Sequence, residues 1–174
     1  MESRFVKNSV KSTIPIKPPK IARTVLTYKL VISYPVISKT INFIIINNDV
    51  EFESALIEKL IKIQIEEKCS LVTPKMMYYD YPNHIWYAGS WFVKKKGYLP
   101  LHRGIKELDE GQYNKTIDVE YAPTCCLLAK KEVFQDVGFM DEKYFVYFDD
   151  TDFSYRVWKD GRHKMLYYPN VEFY

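Results

Sequence analysis

Cysteine is scarce in this sequence, and none of the three thiols, Cys69, Cys125 and Cys126, stands in a CxxC pair. That pattern argues against a zinc ribbon or a disulfide framework. Buried, reduced thiols of a cytosolic protein are the expectation instead. Long apolar runs are missing as well. "FIII" and "CCLLA" fall far short of the roughly twenty residues that span a bilayer, and nothing reads as the apolar core of a signal peptide. Charge of one sign is not in excess either: 25 Lys and Arg against 22 Asp and Glu leave a net +3, too little to point to nucleic acid. No internal repeat or low-complexity tract appears, so a solenoid is excluded.

What is present suits one folded domain, since 174 residues with 47% apolar and 27% charged content can bury a substantial core. Residues 1 to 40 form an atypical basic segment carrying Pro15, Pro18 and Pro19. Its first 24 residues read as a solvated tail, or as a contact for anionic lipid. "TVLTYKLVISYPVI" then suggests strand structure interrupted by Pro35.

From residue 41 to 174 the pattern is that of an α/β domain. "INFIIINND" predicts a buried strand that ends abruptly in polar residues. In "ESALIEKLIKIQIEEK" the spacing of Leu56, Leu60 and Ile63 predicts a helix. "SLVTPKMMYY" and "HIWYAGSWFVKK" read as strands about a "DYPN" turn, and residues 97 to 116 as a long loop. "IDVEYAPTCCLLAKKEVFQDVG" reads as two strands and a short helix closed by Gly138. A helix over roughly 150 to 160 ends at Gly161, and "HKMLYYPNVEFY" supplies a last strand.

Two clusters carry chemistry. Asn47, Asn48 and Asp49 follow the apolar strand, where a carboxylate can hold a divalent cation and amides can bond a sugar or phosphate. An ordinary strand-to-helix turn uses the same residue types. Asp149, Asp150 and Asp152 crowd into four positions at the predicted helix start. One of them can cap the helix, and the helix dipole stabilises its neighbours. The third leaves a carboxylate for a ligand, able to take a proton from an acceptor hydroxyl as that oxygen attacks an activated carbon.

The blocks "IIINNDVEF", "LVTPKMMYYDYPNHIWYAG", "DEGQYNKTIDVEYAPTCCLLAKKEVFQDVGFMDEKYFVYFDDTDFSYRVWKDG" and "YYPNVEFY" resemble, in order and spacing, blocks of family 2 glycosyltransferases, and most closely the rhamnosyltransferase-like branch. The resemblance implies a GT-A fold, a Rossmann-like mixed sheet flanked by helices, with the amino-terminal nucleotide-binding half truncated or remodelled. It implies inverting transfer of a sugar from a UDP- or dTDP-linked donor to a hydroxyl of a glycan or lipid-linked acceptor, assisted by Mg²⁺ or Mn²⁺. On this likeness Asp49 would be the metal ligand, Asn47 and Asn48 would line the donor site, Asp150 would be the general base and Asp149 would help to place the acceptor. Asp152 would be structural. His102 and Gly104 fall where the family contacts substrates, and Thr124 and Cys125 match a turn near the acceptor, although the family usually has Gly at the position of Thr124. Trp86 and Trp91 could stack on a sugar or belong to the core.

Two departures accompany the likeness. The donor-binding strand, Asp and helix that precede the DxD-type motif in the family have no counterpart in "TVLTYKLVISYP", and His163 does not match the family's metal-ligating His. A partner subunit supplying the nucleotide half is one expectation from this gap. A non-catalytic remnant that binds a glycan or a partner protein is the rival expectation. The family's usual setting implies a cytoplasmic protein, peripheral at the inner face of a membrane, in surface-polysaccharide synthesis.

Overall fold

The computed structural model describes residues 28–30, 41–144 and 147–174. The basic tail, the Pro35 region and most of the 1–40 segment lie outside the described residues. The described chain is mixed α/β, with three α-helices and a mixed six-stranded sheet. Strands β1 (Tyr28–Leu30), β2 (Asn42–Ile46), β9 (Cys126–Lys130), β3 (Leu71–Pro74), β10 (Met165–Tyr168) and β8 (Ile117–Asp118) lie side by side in that order. Tyr28–Leu30 pairs antiparallel with β2, which supplies the partner that its sequence leaves open.

β2 has antiparallel neighbours on both sides, and only β3 and β10 run parallel. Consecutive residues Ile44 and Ile45 are both buried, as are all four residues of β3. Both faces of the central strands are therefore covered, which is why these strands read as apolar runs without alternation.

Helix α1 (Leu56–Glu66) forms where the apolar spacing places it, and buries Leu56, Leu60, Ile61 and Gln64. Gln64 is the polar member of that stripe. Its Nε2 donates to the Ser70 carbonyl at 3.1 Å, so burial leaves no donor unpaired there. Helix α2 (Lys131–Val137) follows β9 directly and buries Val133 and Phe134.

Two of the expected long strands break. Lys75 separates β3 from β4 (Met76–Met77), which pairs with β5 (Ile85–Tyr87) in a hairpin. Ala88 and Gly89 separate β5 from β6 (Ser90–Val93), and Gly89 takes φ +105°, a conformation that favours glycine. The expected loop over 97 to 116 is corrected in part: Leu99–His102 is a strand, β7, paired antiparallel with β6 around a 3₁₀ turn at Lys94–Lys96. Pro100 masks that strand in the sequence. A two-stranded ribbon tolerates it because, among the described residues, one edge of β7 has no strand neighbour to receive an N–H.

Helix α3 (Asp149–Asp160) carries the acids. Phe153, Ser154 and Val157 form its buried face, and Phe153 stacks on Phe134 of α2 with ring centroids 5.3 Å apart. Asp152 binds Arg156 one turn on at 2.8 Å, and Arg156 donates to the carbonyls of Val137 and Phe139 at the end of α2. Asp152 is thus engaged in holding the helix in place. Gly161 ends the helix in the left-handed conformation, φ 74°, as its position predicts.

Phe153→Ala should cost about 3–5 kcal/mol in urea unfolding, because a fully buried ring leaves a cavity between α3 and α2. Lys62→Ala, on the exposed face of α1, should stay within about 0.5 kcal/mol.

Candidate active site at the start of helix α3

The pairing of β2 with β9 sets Ile46 opposite Cys126, so the polar residues leaving β2 meet the turn that enters β9. The Asn47 N–H donates to the Cys125 carbonyl at 3.1 Å. Asn47 is half-buried against that turn, while Asn48 and Asp49 are exposed beyond it. Thr124 and Cys125 are both half-buried in the turn.

The Cys125 thiol lies within electrostatic reach of two carboxylates, Asp150 from α3 and Asp49 from the β2 end. Burial first, then these charges, push it up to about 12, so it is a neutral thiol at physiological pH. Its sulfur packs 3.2 Å from that of Met76. Asp49 and Asp150, remote in sequence, therefore act on one side chain. Cys69 and Cys126 are buried elsewhere, and all three cysteines are free.

Asp150 is half-buried, and its Oδ2 accepts a hydrogen bond of 2.6 Å from the Tyr121 hydroxyl. Burial holds its pKa above the usual carboxylate value, with the neighbouring Asp149 charge adding to the rise. The bond from Tyr121 and those from Thr151 offset part of it. None of the acids caps the helix, which corrects that expectation. Phe148 stands at the N-cap position with φ 66°, and Tyr147 before it has φ 68°. Two consecutive aromatic residues in the left-handed region cost free energy. They lift the chain so that Asp149 and Asp150 enter as the first two helical residues rather than as caps.

His102, at the end of β7, is tilted against Tyr121 with ring centroids 5.3 Å apart. Burial lowers its pKa, and the Asp150 charge opposes that only in part, so the imidazole is neutral at pH 7. Its Nδ1 is buried with no hydrogen-bond partner among the described residues. Such an atom is costly unless something meets it.

Asn47, Asp49, His102, Cys125, Asp149 and Asp150 thus gather around one region. No contact ties Asn48 to the group, and Thr124 joins it through its place in the Cys125 turn. Gly104 has a packing role: a Cβ there would lie 2.7 Å from the Tyr113 ring, and its φ is +77°. Trp86 packs partly buried against the core, whereas Trp91 is 36% exposed. Tyr121 and the Tyr147–Phe148 pair were not singled out from the sequence. Tyr121 reads there as one more aromatic in an apolar stretch, and only its hydroxyl's distance to Asp150 sets it apart.

The donor set decides what cation could sit here. Among the described residues no three His, Cys, Asp or Glu side chains stand together as a metal cage. Asp49 offers one hard carboxylate, and a magnesium-like ion takes one or two carboxylates together with substrate phosphates. These residues fit an ion shared with a phosphate-bearing ligand and do not fit one held by the protein alone.

The raised pKa of Asp150 has a thermodynamic sign. A carboxyl held above its unfolded value favours folding while protonated, and that contribution is lost as pH rises through the folded pKa. Asp150→Asn, whose amide oxygen can still accept from Tyr121, should therefore melt higher than the parent at pH 7. The gain should vanish as pH falls below about 4, the ordinary carboxylate value, in a pH series of thermal melts.

No family model matches the chain. The low-salt glycan biosynthesis hexosyltransferase Agl10 of Haloferax volcanii is 21% identical over 118 residues, covering 68% of this chain and 37% of that protein. The chain thus spans little more than a third of the length of this relative. This is a distant similarity to a hexosyltransferase, and among the described residues no helix is long and apolar enough to cross a membrane.

Proposed function

We infer that the chain is a glycosyltransferase of the GT-A type, related to family 2, that moves a sugar from a nucleoside diphosphate to an acceptor hydroxyl. One piece of geometry carries this reading above the others: the Asn47 N–H bonds the Cys125 carbonyl, and in the same 121–125 segment the Tyr121 hydroxyl bonds Asp150, so the end of β2 that leads to Asp49 and the start of α3 meet at one segment. The distant similarity to a hexosyltransferase supports the same class.

In this mechanism Asp150 is the base. Its partial burial makes it more basic than a free carboxylate, and Tyr121 fixes one of its oxygens. The acceptor oxygen forms its bond to the anomeric carbon as the bond from that carbon to the diphosphate oxygen breaks. The diphosphate leaves with the bonding pair, and the acceptor proton passes to the Asp150 carboxylate. Inversion follows from attack opposite the leaving group. Asp149, half-buried on the same turn, raises the basicity of its neighbour. His102, neutral and with a free buried Nδ1, is suited to bond a sugar hydroxyl. Asp49 would hold Mg²⁺ or Mn²⁺ jointly with the donor's phosphates, with Asn47 and Asn48 beside it, and the ion would neutralise charge on the leaving group.

Asp150→Asn should lower transfer of labelled sugar by about 10²–10⁴-fold while leaving nucleoside-diphosphate binding intact. Full turnover in that variant would remove Asp150 from the mechanism. In calorimetry, UDP or dTDP should bind only with Mn²⁺ present, and Asp49→Asn should lose that Mn²⁺-dependent binding. Glycan binding without nucleotide would support instead a non-catalytic binding protein.

A further inference from the structure

The β6–β7 ribbon breaks the rule for a sheet with one face on a core. Its inward face is accounted for: Phe92 packs against Tyr155 and Trp158 with centroids 5.5 Å away in each case, and His102 against Tyr87 at 5.4 Å. The outward face should then be polar. It is not. The register pairs Trp91 with Leu101 and Val93 with Leu99, so four apolar side chains form one continuous outer strip. Trp91 is 36%, Leu99 48% and Leu101 58% exposed.

Charge follows the same outline. Residues 88 to 106, "AGSWFVKKKGYLPLHRGIK", contain five Lys and Arg and no acid. Lys94, Lys95 and Lys96 form the exposed 3₁₀ turn at the tip. Arg103 lies between rings at the base of the ribbon, its guanidinium 4.5 Å from the Tyr113 ring and 5.4 Å from that of Trp91. The acids in the cleft beside Trp91, Asp118 and Glu120, are engaged by Lys164 at 3.4 Å and by the Phe92 N–H at 2.8 Å.

We propose that the outer face of β6–β7, with its lysine tip, is a docking surface for an anionic lipid bilayer. Apolar side chains enter the boundary between headgroups and acyl chains, Trp91 sits at that level, and the lysines meet the phosphates while their stems lie along the apolar strip. A second copy of the chain suits the ribbon less well. Three consecutive lysines at the end of the ribbon favour an anionic partner over a copy that carries the same charge, and lysine beside a sheet edge is a means by which sheets avoid edge-to-edge pairing. The surface does not depend on the glycosyltransferase reading. Were both correct, β7 would join them, since His102 at its end lies beside Tyr121 and Asp150.

Co-sedimentation of the full chain with vesicles tests the proposal. Binding is expected to an equimolar mixture of phosphatidylcholine and phosphatidylglycerol and not to phosphatidylcholine alone. K94Q/K95Q/K96Q should weaken it roughly a hundredfold, at about 1 kcal/mol per lysine. L99S/L101S, which keeps every charge, should also abolish it, and both variants should retain the parental circular dichroism because the altered side chains are exposed. D150N should bind like the parent, which separates this surface from the transfer chemistry. The proposal is overturned if the parent ignores anionic vesicles, or if both ribbon variants bind normally, whether or not K17Q/K20Q/R23Q in the basic tail then loses binding. It is equally overturned if L99S/L101S dissolves a dimer seen by sedimentation and no vesicle binding is found.

Discussion

The backbone ladder between β2 and β9 is the constraint on which the candidate site depends. It runs from Asn42 opposite Lys130 to Ile46 opposite Cys126, and it continues one bond further, from the Asn47 N–H to the Cys125 carbonyl. Each strand delivers something different to the same end. β2 delivers Asp49 and the two asparagines; the turn into β9 delivers Cys125, whose thiol feels the charge of both acids. A one-residue slip in this register would exchange the faces of every side chain on the strand. Ile44 and Ile45 are buried, one toward each side of the sheet, so the register is held by the ladder bonds and by the Asn47 bond beyond them rather than by which face is apolar.

The second acid arrives by a separate route that the ladder alone does not fix. Helix α3 is seated by Phe153 on Phe134, by Ser154 bonded to both the N–H and the carbonyl of Ala122, and by Arg156 reaching the end of α2. Ala122 is adjacent to Tyr121, so the contact that seats the helix also sets the hydroxyl that meets Asp150. Tyr121 itself is held from the other side, where the buried Tyr87 hydroxyl donates to its carbonyl at 2.6 Å. Position and protonation are thus coupled: the packing that orders Asp150 also desolvates it and makes it a better base.

Much of this was legible in the residues alone, and the reasons differ by element. α1 and α3 announce themselves because apolar spacing and a closing glycine are local signals. β2 and β9 do so as apolar runs bounded by polar turns. The sequence does not reveal that they are antiparallel neighbours, because pairing is a long-range choice that burial on both faces leaves unmarked. β7 was hidden by Pro100, and the breaks at Lys75 and Gly89 by apolar residues on either side. Asp150 stands out as one of three crowded acids. Tyr121, which orients it, carries no local mark, and neither does the left-handed Tyr147–Phe148 pair that turns the expected cap into a first helical turn.

That last feature bears on why three acids can share one turn. Had Asp149 been the N-cap, its carboxylate would have been spent on backbone N–H groups and its pKa drawn down. With Phe148 in that place, the N-cap residue itself offers no side-chain acceptor, and the helix dipole acts on all three carboxylates without any of them standing as the N-cap. Asp152 turns to Arg156, Asp150 turns inward to Tyr121, and Asp149 remains half-buried beside it as an uncommitted charge. Repulsion from that charge and the loss of solvent both oppose ionisation of Asp150, while the dipole and Tyr121 favour it. Burial is the largest of these, so forces of local origin hold the carboxyl above the ordinary carboxylate value. A raised carboxyl of this kind serves no purpose in a helix cap, where backbone N–H groups would draw it down.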